Sequence, residues 1–232
     1  MADSHHTLDL YGHAVPLRVR RHARARNLIL RIDEDTGGAM VTIPARTPIR
    51  DGIDLARRKA AWIAAQLKRR VEPLVFAPGV ELPFLGERHT VRHNPGGRGV
   101  VCADMEIVVS GRPEHLARRL ADWLKAQART EITTRAHAKA GQIDQRIARI
   151  TVRDTRSRWG SCGVQGQLNF SWRLVLAPAF VLDYVVAHEV AHLAHHNHGA
   201  DFWALTESLT DRMEEAKAWL STHGRDLHRY GA

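Results

Sequence analysis

The stretch that most constrains the fold is an H-E-x-x-H motif, His188, Glu189 and His192, set within an apolar run. That run predicts a buried helix, on which residues four apart lie on one face, one turn above the other. Two imidazoles and a carboxylate are costly to bury without a partner, and a metal ion supplies one. The motif therefore predicts two metal ligands with Glu189 beside them as a general base, the arrangement of a metal-activated hydrolase.

A catalytic zinc usually takes three protein ligands, so a third is expected near the motif. His198 lies six residues after His192, a gap that suits a helix that ends, turns and points a third imidazole back. We expect the helix to end near His195 or His196. The rivals to His198 as third ligand are His195 and His196 and, if the site is of the glutamate-zincin type, Glu207, Glu214 or Glu215.

The motif and its flanks resemble the YgjP-like family of zinc metallohydrolases, which is related to the SprT-like zincins. By that resemblance His188, His192 and His198 match the family's metal ligands and Glu189 its catalytic glutamate. Metzincin peptidases share this ligand spacing but carry glycine where His195 stands, which argues against a metzincin proper. The matching residues are Arg158 to Cys162, Leu168-Asn169, Leu174, Pro178, Asp183 to Val186, the H-E-x-x-H motif, Asn197-His198 and Phe202-Trp203.

Four further residues are candidates for binding substrate. In zincins a sheet edge beside the metal helix holds an extended peptide by main-chain hydrogen bonds, and Arg158, Trp159 and Ser161 could line such a cleft. Tyr184 precedes His188 by four residues and faces the same way, so it could donate to a substrate oxyanion. The alternatives are that Trp159 and Tyr184 pack in the core and that Arg158 binds local carbonyls.

The hydrophobic patterns predict an α+β fold: an N-terminal β-rich region with a helix, then a zincin-like region whose H-E-x-x-H helix lies beside a small sheet. We expect a β-rich region over 1–110 and a metallohydrolase region over 111–232, with one continuous domain as the alternative. The predicted elements are β-structure over 7–44 with a hairpin signal at Asp35 to Gly38, helices over 48–70 and 113–143, strands over 80–109, 150–152 and 166–172, a loop over 157–163, and C-terminal helices over 201–209 and 212–220.

Composition narrows the setting. Cys102 and Cys162 are the two cysteines of 232 residues, which excludes a disulfide framework and a four-cysteine zinc site and fits a reducing compartment. No apolar stretch has the length of a membrane span, and residues 1–10 do not read as a signal peptide. We therefore expect a cytoplasmic protein without a membrane partner.

The net charge of +9 attracts polyanions in principle. Arginines cluster between Arg18 and Arg26 and could hold an anionic substrate, but a solvated, arginine-rich surface is the favoured interpretation. No recognised nucleic-acid module is present, so nucleic acid is a possible partner that the sequence does not favour.

Three functions are compatible with these features. The favoured one is an intracellular metallopeptidase with one Zn²⁺ per chain and a peptide or protein substrate. The family resemblance also implies a metal-dependent nucleoside-triphosphate pyrophosphatase at the same site, which suits the basic excess, although phosphate chemistry usually recruits magnesium through carboxylates. The third is a non-catalytic nucleic-acid-binding protein with a structural metal. The sequence leaves the oligomeric state open.

Overall fold

A computed structural model describes residues 3–33, 36–68 and 72–231 of the protein. The fold is a mixture of helices and small sheets, which confirms the α+β prediction. Contacts group the chain into two compact units, residues 1–70 and 71–232. This grouping differs from the expected division at residue 110, because strands between residues 81 and 110 share one hydrophobic core with the helices that follow them.

The first unit is a four-stranded sheet followed by two helices. Its strand order is β1-β2-β4-β3, with β2 and β4 parallel and the other neighbours antiparallel. The elements are β1 (Ser4–Leu10), β2 (His13–His22), β3 (Ile29–Asp33), β4 (Gly38–Pro44), α1 (Ile49–Arg58) and α2 (Ala60–Lys68).

Alternation along the strands gives this sheet one buried face. Leu17 and Val19 on β2 and Val41 and Ile43 on β4 are almost fully buried, and they share a core with Ile63 of α2. The side chains between them point to the opposite face, because successive residues of a strand alternate in direction. The unit therefore has a covered apolar face and an outer face.

The prediction of one helix over 48–70 is wrong in one respect, because the structure has two helices there. Lys59 has φ −100° and ψ 18° and ends α1, so α2 begins one residue later. Trp62 of α2 is 41% exposed. The end of the predicted helix at Arg70 and the residue Asp35 of the hairpin signal lie outside the described residues.

The second unit contains two small sheets. The first has the order β5-β6-β8-β7 and the second the order β10-β11-β9, in which β10 is an edge strand antiparallel to β11. β10 lies where a loop was predicted over 157–163, because three residues are too few to show a pattern. The strands are β5 (Glu81–Phe84), β6 (Glu87–Asn94), β7 (Val100–Ala103), β8 (Glu106–Ser110), β9 (Arg149–Arg153), β10 (Gly160–Cys162) and β11 (Gln167–Ser171).

Four helices complete this unit: α3 (Leu116–Gln142), α4 (Ala179–Ala191), α5 (Ala200–Ser208) and α6 (Met213–His223). The inner face of α3, which lies where a helix was predicted over 113–143, is apolar, with Leu120, Leu124 and Ile132 fully buried. None of the helices in the described part of the chain is long and apolar enough to cross a membrane.

The motif helix ends earlier than expected, at Ala191 rather than near His195 or His196. The next residues continue as tight turns, in which Leu193 N–H donates to the Val190 carbonyl at 2.9 Å and Ala194 N–H to the Ala191 carbonyl at 3.1 Å. Such bonds between residues three apart tighten a helix end. The chain is thereby turned back toward α4 before α5 begins.

Candidate metal centre

α4 places two imidazoles on one face. His188 and Glu189 lie in its last turn, and His192 caps its C-terminal end. Most residues of the helix are apolar and buried, which anchors it in the core of the second unit. Since His188 and His192 are one turn apart, their ring centroids are 4.9 Å apart.

His198 joins these rings from the turn between α4 and α5. Its ring centroid lies 5.1 Å from that of His188 and 4.7 Å from that of His192, and its Nε2 is 3.2 Å from Nε2 of His188. One ring nitrogen from each of the three lies within 4.8 Å of the others. The three side chains could therefore hold one metal ion.

Two of these rings have the protonation state that a metal ligand needs. Nδ1 of His192 lies 2.9 Å from the carbonyl oxygen of His195; because a carbonyl only accepts, Nδ1 carries the proton and Nε2 keeps its lone pair. Burial, reinforced by the neighbouring rings, lowers the pKa of His188 to about 4. Burial also lowers the pKa of His192. Both rings are thus neutral at pH 7, as metal binding requires.

The protein alone does not satisfy the buried ring of His188. Its Nδ1 is buried without a hydrogen-bond partner among the described residues, which is costly. The other nitrogen, Nε2, faces Nε2 of His198 at 3.2 Å, so an ion held by the three rings would bind Nε2 and leave Nδ1–H in need of an acceptor. The three donors are all imidazole nitrogens, a set that suits zinc and other borderline transition metals and not magnesium or calcium. The residues therefore fit a transition metal.

Glu189 is a buried carboxyl group in contact with the edge strand. It is 6% exposed, and an added Cβ at Gly160 of β10 would lie 2.5 Å from its Cγ and 2.6 Å from its Oε1. Burial raises the pKa of Glu189 to about 7, while the positive charge of Arg158 opposes that rise. The carboxyl group therefore exchanges its proton near neutral pH, a property useful in a general base.

Aromatic rings from α5 surround the three histidines. The ring centroid of Phe202 lies 4.9 Å from that of His188, 4.5 Å from that of His192 and 4.7 Å from that of His198. Trp203 lies 5.6 Å from His198 by the same measure. Because Phe202 is fully buried, it restricts the rotation of all three imidazoles.

A buried ion pair fixes α4 to its neighbours, and the sequence interpretation missed it. Lys139 of α3 is 7% exposed, and its Nζ lies 2.9 Å from Asp183 of α4 and donates to the carbonyl of Leu209. Thr210 donates to the same carboxylate at 2.8 Å. The available signal was a lysine three residues after Ala136, on the apolar stripe of α3.

The four residues predicted to bind substrate lie in different surroundings. Arg158 is exposed, and Ser161 is half-buried on β10. Trp159 stacks on the ring of His228, with centroids 5.0 Å apart. Tyr184 is 7% exposed and its ring lies 6.0 Å from that of His188. Burial raises the pKa of Tyr184 to about 12, so its hydroxyl keeps its proton. Their contact with substrate stays a prediction.

The structure does not bring the rival ligands into the group of three. Glu214 pairs with Lys217 at 2.7 Å, Glu215 accepts from Arg212 at 2.8 Å, and Glu207 is exposed. The carboxylates of a glutamate-zincin site are therefore engaged elsewhere or directed to solvent. The remaining rivals outside the group are His195 and His196.

The three converging histidines fit a metal-dependent hydrolase, and comparison with known proteins supports that class. The family model described as the YgjP-like metallopeptidase domain matches residues 26–223. The match covers most of the chain, and the chain therefore belongs to the YgjP-like family.

One solved structure is similar over part of the chain: the crystal structure of the metallopeptidase zymogen of Pyrococcus abyssi abylysin. The sequence identity is 15%, the TM-score is 0.36, and the match covers 40% of this chain and 96% of that one. No curated protein matches the sequence.

Proposed function

We propose that the protein is a zinc-dependent metallopeptidase in which Glu189 is the general base. The observation that carries this proposal is the convergence of three imidazoles beside a buried carboxyl group whose pKa is about 7. His188, His192 and His198 would hold the ion. Three protein ligands leave a coordination position open, as catalytic zinc sites do. When bound, Zn²⁺ supplies Lewis-acid activation of a water molecule and of the attacked carbonyl group.

Glu189 moves the proton in this scheme. Burial raises its pKa to about 7 in the metal-free protein, and beside the ion it would accept a proton from the attacking water and return it to the leaving amine. Its contact with Gly160 limits where the carboxylate can lie. Tyr184, which keeps its proton, and Arg158, which is exposed, are the proposed donors to the developing oxyanion.

The free edge of β10 is the proposed site for an extended peptide. Ser171 N–H donates to the Trp159 carbonyl and Gly163 N–H to the Gln167 carbonyl, both at 2.8 Å. In an antiparallel pair, residues whose main-chain N–H and C=O groups bond to the neighbouring strand alternate with residues whose groups point away from it. The main-chain groups of Gly160 therefore point away from β11, as do those of Cys162. A substrate strand can pair with them as in other strand-addition complexes.

The proposal is tested with the variant Glu189→Gln. We expect it to bind one equivalent of zinc, measured by plasma mass spectrometry, and to lose hydrolysis of an unfolded protein such as fluorescently labelled casein. The amide keeps the shape of the carboxyl group but cannot take a proton. Glu207→Gln, a change of an exposed glutamate, is the matched control and should retain activity. Hydrolysis undiminished in the Glu189 variant would exclude this role.

A nucleoside-triphosphate pyrophosphatase is the second candidate. Arg158 favours it, because an exposed guanidinium within electrostatic range of Glu189 suits a phosphate-bearing substrate. The imidazole donors favour zinc over the magnesium that phosphate chemistry usually recruits. Assays of nucleoside triphosphates and casein side by side, with and without chelator, separate the two. Chelator-sensitive release of pyrophosphate without casein cleavage would select the second candidate.

A structural metal in a non-catalytic protein has less support. Structural zinc sites are closed by four ligands, whereas the group found in the described part of the chain has three, of which His198 is exposed. We keep the cytoplasm as the proposed compartment, since Cys102 and Cys162 are both free.

A further inference from the structure

The positive charge of the protein is concentrated in the first unit. Residues 1–70 contain fourteen Lys and Arg residues against seven Asp and Glu residues, so most of the net charge of +9 lies there. This unit contributes none of the three histidines of the metal centre. The three imidazoles therefore do not account for this charge.

Two arginines of the Arg18 to Arg26 segment stabilise the fold. Arg18 pairs with the buried carboxylate of Asp33, with Nε 3.0 Å from Oδ2. Arg21 donates to the carbonyl oxygens of Ala45 at 2.7 Å and Thr47 at 2.6 Å. These two guanidinium groups are engaged within the unit.

Among the other arginines of β2, β3 and the connection between them, four remain available to a ligand: Arg20, Arg24, Arg26 and Arg31. All four are exposed. Their guanidinium groups form no ion pair or hydrogen bond with residues in the described ranges 3–33, 36–68 and 72–231. We call these four residues the basic face.

Strand register brings the basic face together. On β2 the side chains of Leu17 and Val19 point into the core, so that of Arg20 points to the outer face of the sheet. Arg20 lies opposite Thr42 of β4, and Arg31 of β3 lies opposite Met40 of the same strand. Two strand spacings, about 10 Å, separate the β2 and β3 positions.

The rest of the basic face lies in the connection between these strands. Arg24 and Arg26 lie in the connection from β2 to β3, at one end of the sheet. Among the described residues, the carboxylates of Asp33 and Asp3 lie 3.0 Å and 4.0 Å from Arg18. Neither carboxylate forms an ion pair with the arginines of the basic face, so these guanidinium charges are not neutralised within the part of the chain that the structure describes.

The chemistry of this face selects one kind of partner. The outward positions of β2, β4 and β3 carry no Phe, Tyr or Trp, so the face lacks the aromatic platform on which single-stranded bases stack. Duplex nucleic acid presents the densest row of phosphates, and arginine pairs with phosphate in a bidentate manner. We propose that the basic face binds the phosphate backbone of a nucleic-acid duplex, without reading its sequence.

The test measures binding of the full-length protein to a fluorescein-labelled DNA duplex of about 20 base pairs by anisotropy across a salt series. Four phosphate contacts predict a slope of log K against log [salt] of about −3.6. Between about 50 and 200 mM salt, affinity should therefore fall by about 100-fold. No measurable binding at the lower salt concentration would overturn the proposal.

The decisive variant is the double substitution Arg20→Glu with Arg31→Glu. Its matched control is Arg50→Glu with Arg57→Glu, which makes the same charge change in the same unit at exposed positions of α1. The first pair should weaken binding at least about tenfold and reduce the slope by about 1.8. The control should bind within about threefold of the unaltered protein, and that small loss would come from the long-range effect of its lower net charge. Equal losses in both variants overturn the assignment to this face.

Two further arms keep the test decisive. If circular dichroism finds the sheet variant unfolded, Arg24→Ala with Arg26→Ala in the connection replaces it and should also weaken binding. A single strand of the same sequence and a polyglutamate competitor define the partner. Tighter binding of the single strand, or displacement of the duplex by polyglutamate at equal charge concentration, overturns the duplex assignment.

Discussion

The contact between Gly160 and Glu189 provides the sharpest test of how the general base is positioned. In the variant Gly160→Ala, the new Cβ would lie 2.5 Å from Cγ of Glu189, whereas ordinary van der Waals contacts begin at 3.4 Å. The carboxylate or the strand must therefore move by about 1 Å, a displacement that can cost a catalytic step about 100-fold. This corresponds to about 2.7 kcal/mol of transition-state stabilisation.

The assay compares kcat/KM for casein hydrolysis with zinc content, both measured on the same preparation. We expect Gly160→Ala to lose about 100-fold in kcat/KM and to retain one zinc, because the added methyl group meets the base and not the histidines. The matched control is Gly163→Ala, whose Cβ would meet Oε1 of Gln167, the end of a flexible side chain. Full activity in the Gly160 variant would refute the reasoning, and so would loss of zinc in parallel with activity.

Two further predictions concern stability. Burial raises the folded-state pKa of Glu189 from 4.5 to about 7, so the folded, metal-free protein binds more protons than the unfolded chain between these values. The contribution of Glu189 to the free energy of unfolding should fall by about 3 kcal/mol as pH rises from 4.5 to 7. Urea denaturation gives the free energy of unfolding of the chelated protein and of chelated Glu189→Gln at each pH, and the difference between the two should show this fall. A difference that does not change with pH would contradict the prediction. Lys139→Met should destabilise the protein by about 3 kcal/mol, since it leaves the Asp183 carboxylate without its main partner. Arg118→Met, which removes an exposed ion pair with Asp122, should cost under about 1 kcal/mol in the same measurement.

The sequence predicts much of the metal centre because helical geometry fixes it. Residues four apart on a helix lie on one face, which is sufficient to bring His188 and His192 together. The spacing to His198 requires only that the helix end and turn. The end was expected near His195 or His196, but tight turns after Ala191 stop the regular helix earlier. The pattern of side chains does not encode this detail of local hydrogen bonding.

The contacts around Glu189 could not be predicted, because they join distant parts of the chain. β10 has three residues and no periodicity, and the role of Gly160 depends on a side chain 29 positions away in the sequence. The same holds for Lys139, whose partners Asp183 and Leu209 come from later elements. Pattern identifies elements, whereas packing decides which of them meet.

The charge of the first unit was also only partly interpretable. The cluster from Arg18 to Arg26 is visible in the sequence, but the fold separates its members. Arg18 and Arg21 are engaged with Asp33 and with main-chain carbonyls, while Arg20 is exposed on the outer face. Alternation along β2 produces this separation, and the sequence alone could not assign partners.

The most direct test of the metal centre is a crystal structure of the zinc-loaded protein with anomalous scattering recorded at the zinc edge. We predict one anomalous peak bonded to a ring nitrogen of His188, His192 and His198 at about 2.0–2.1 Å, with the carboxylate of Glu189 close by but not coordinated. A peak at another position, or four protein ligands closing the ion, would contradict a hydrolytic centre.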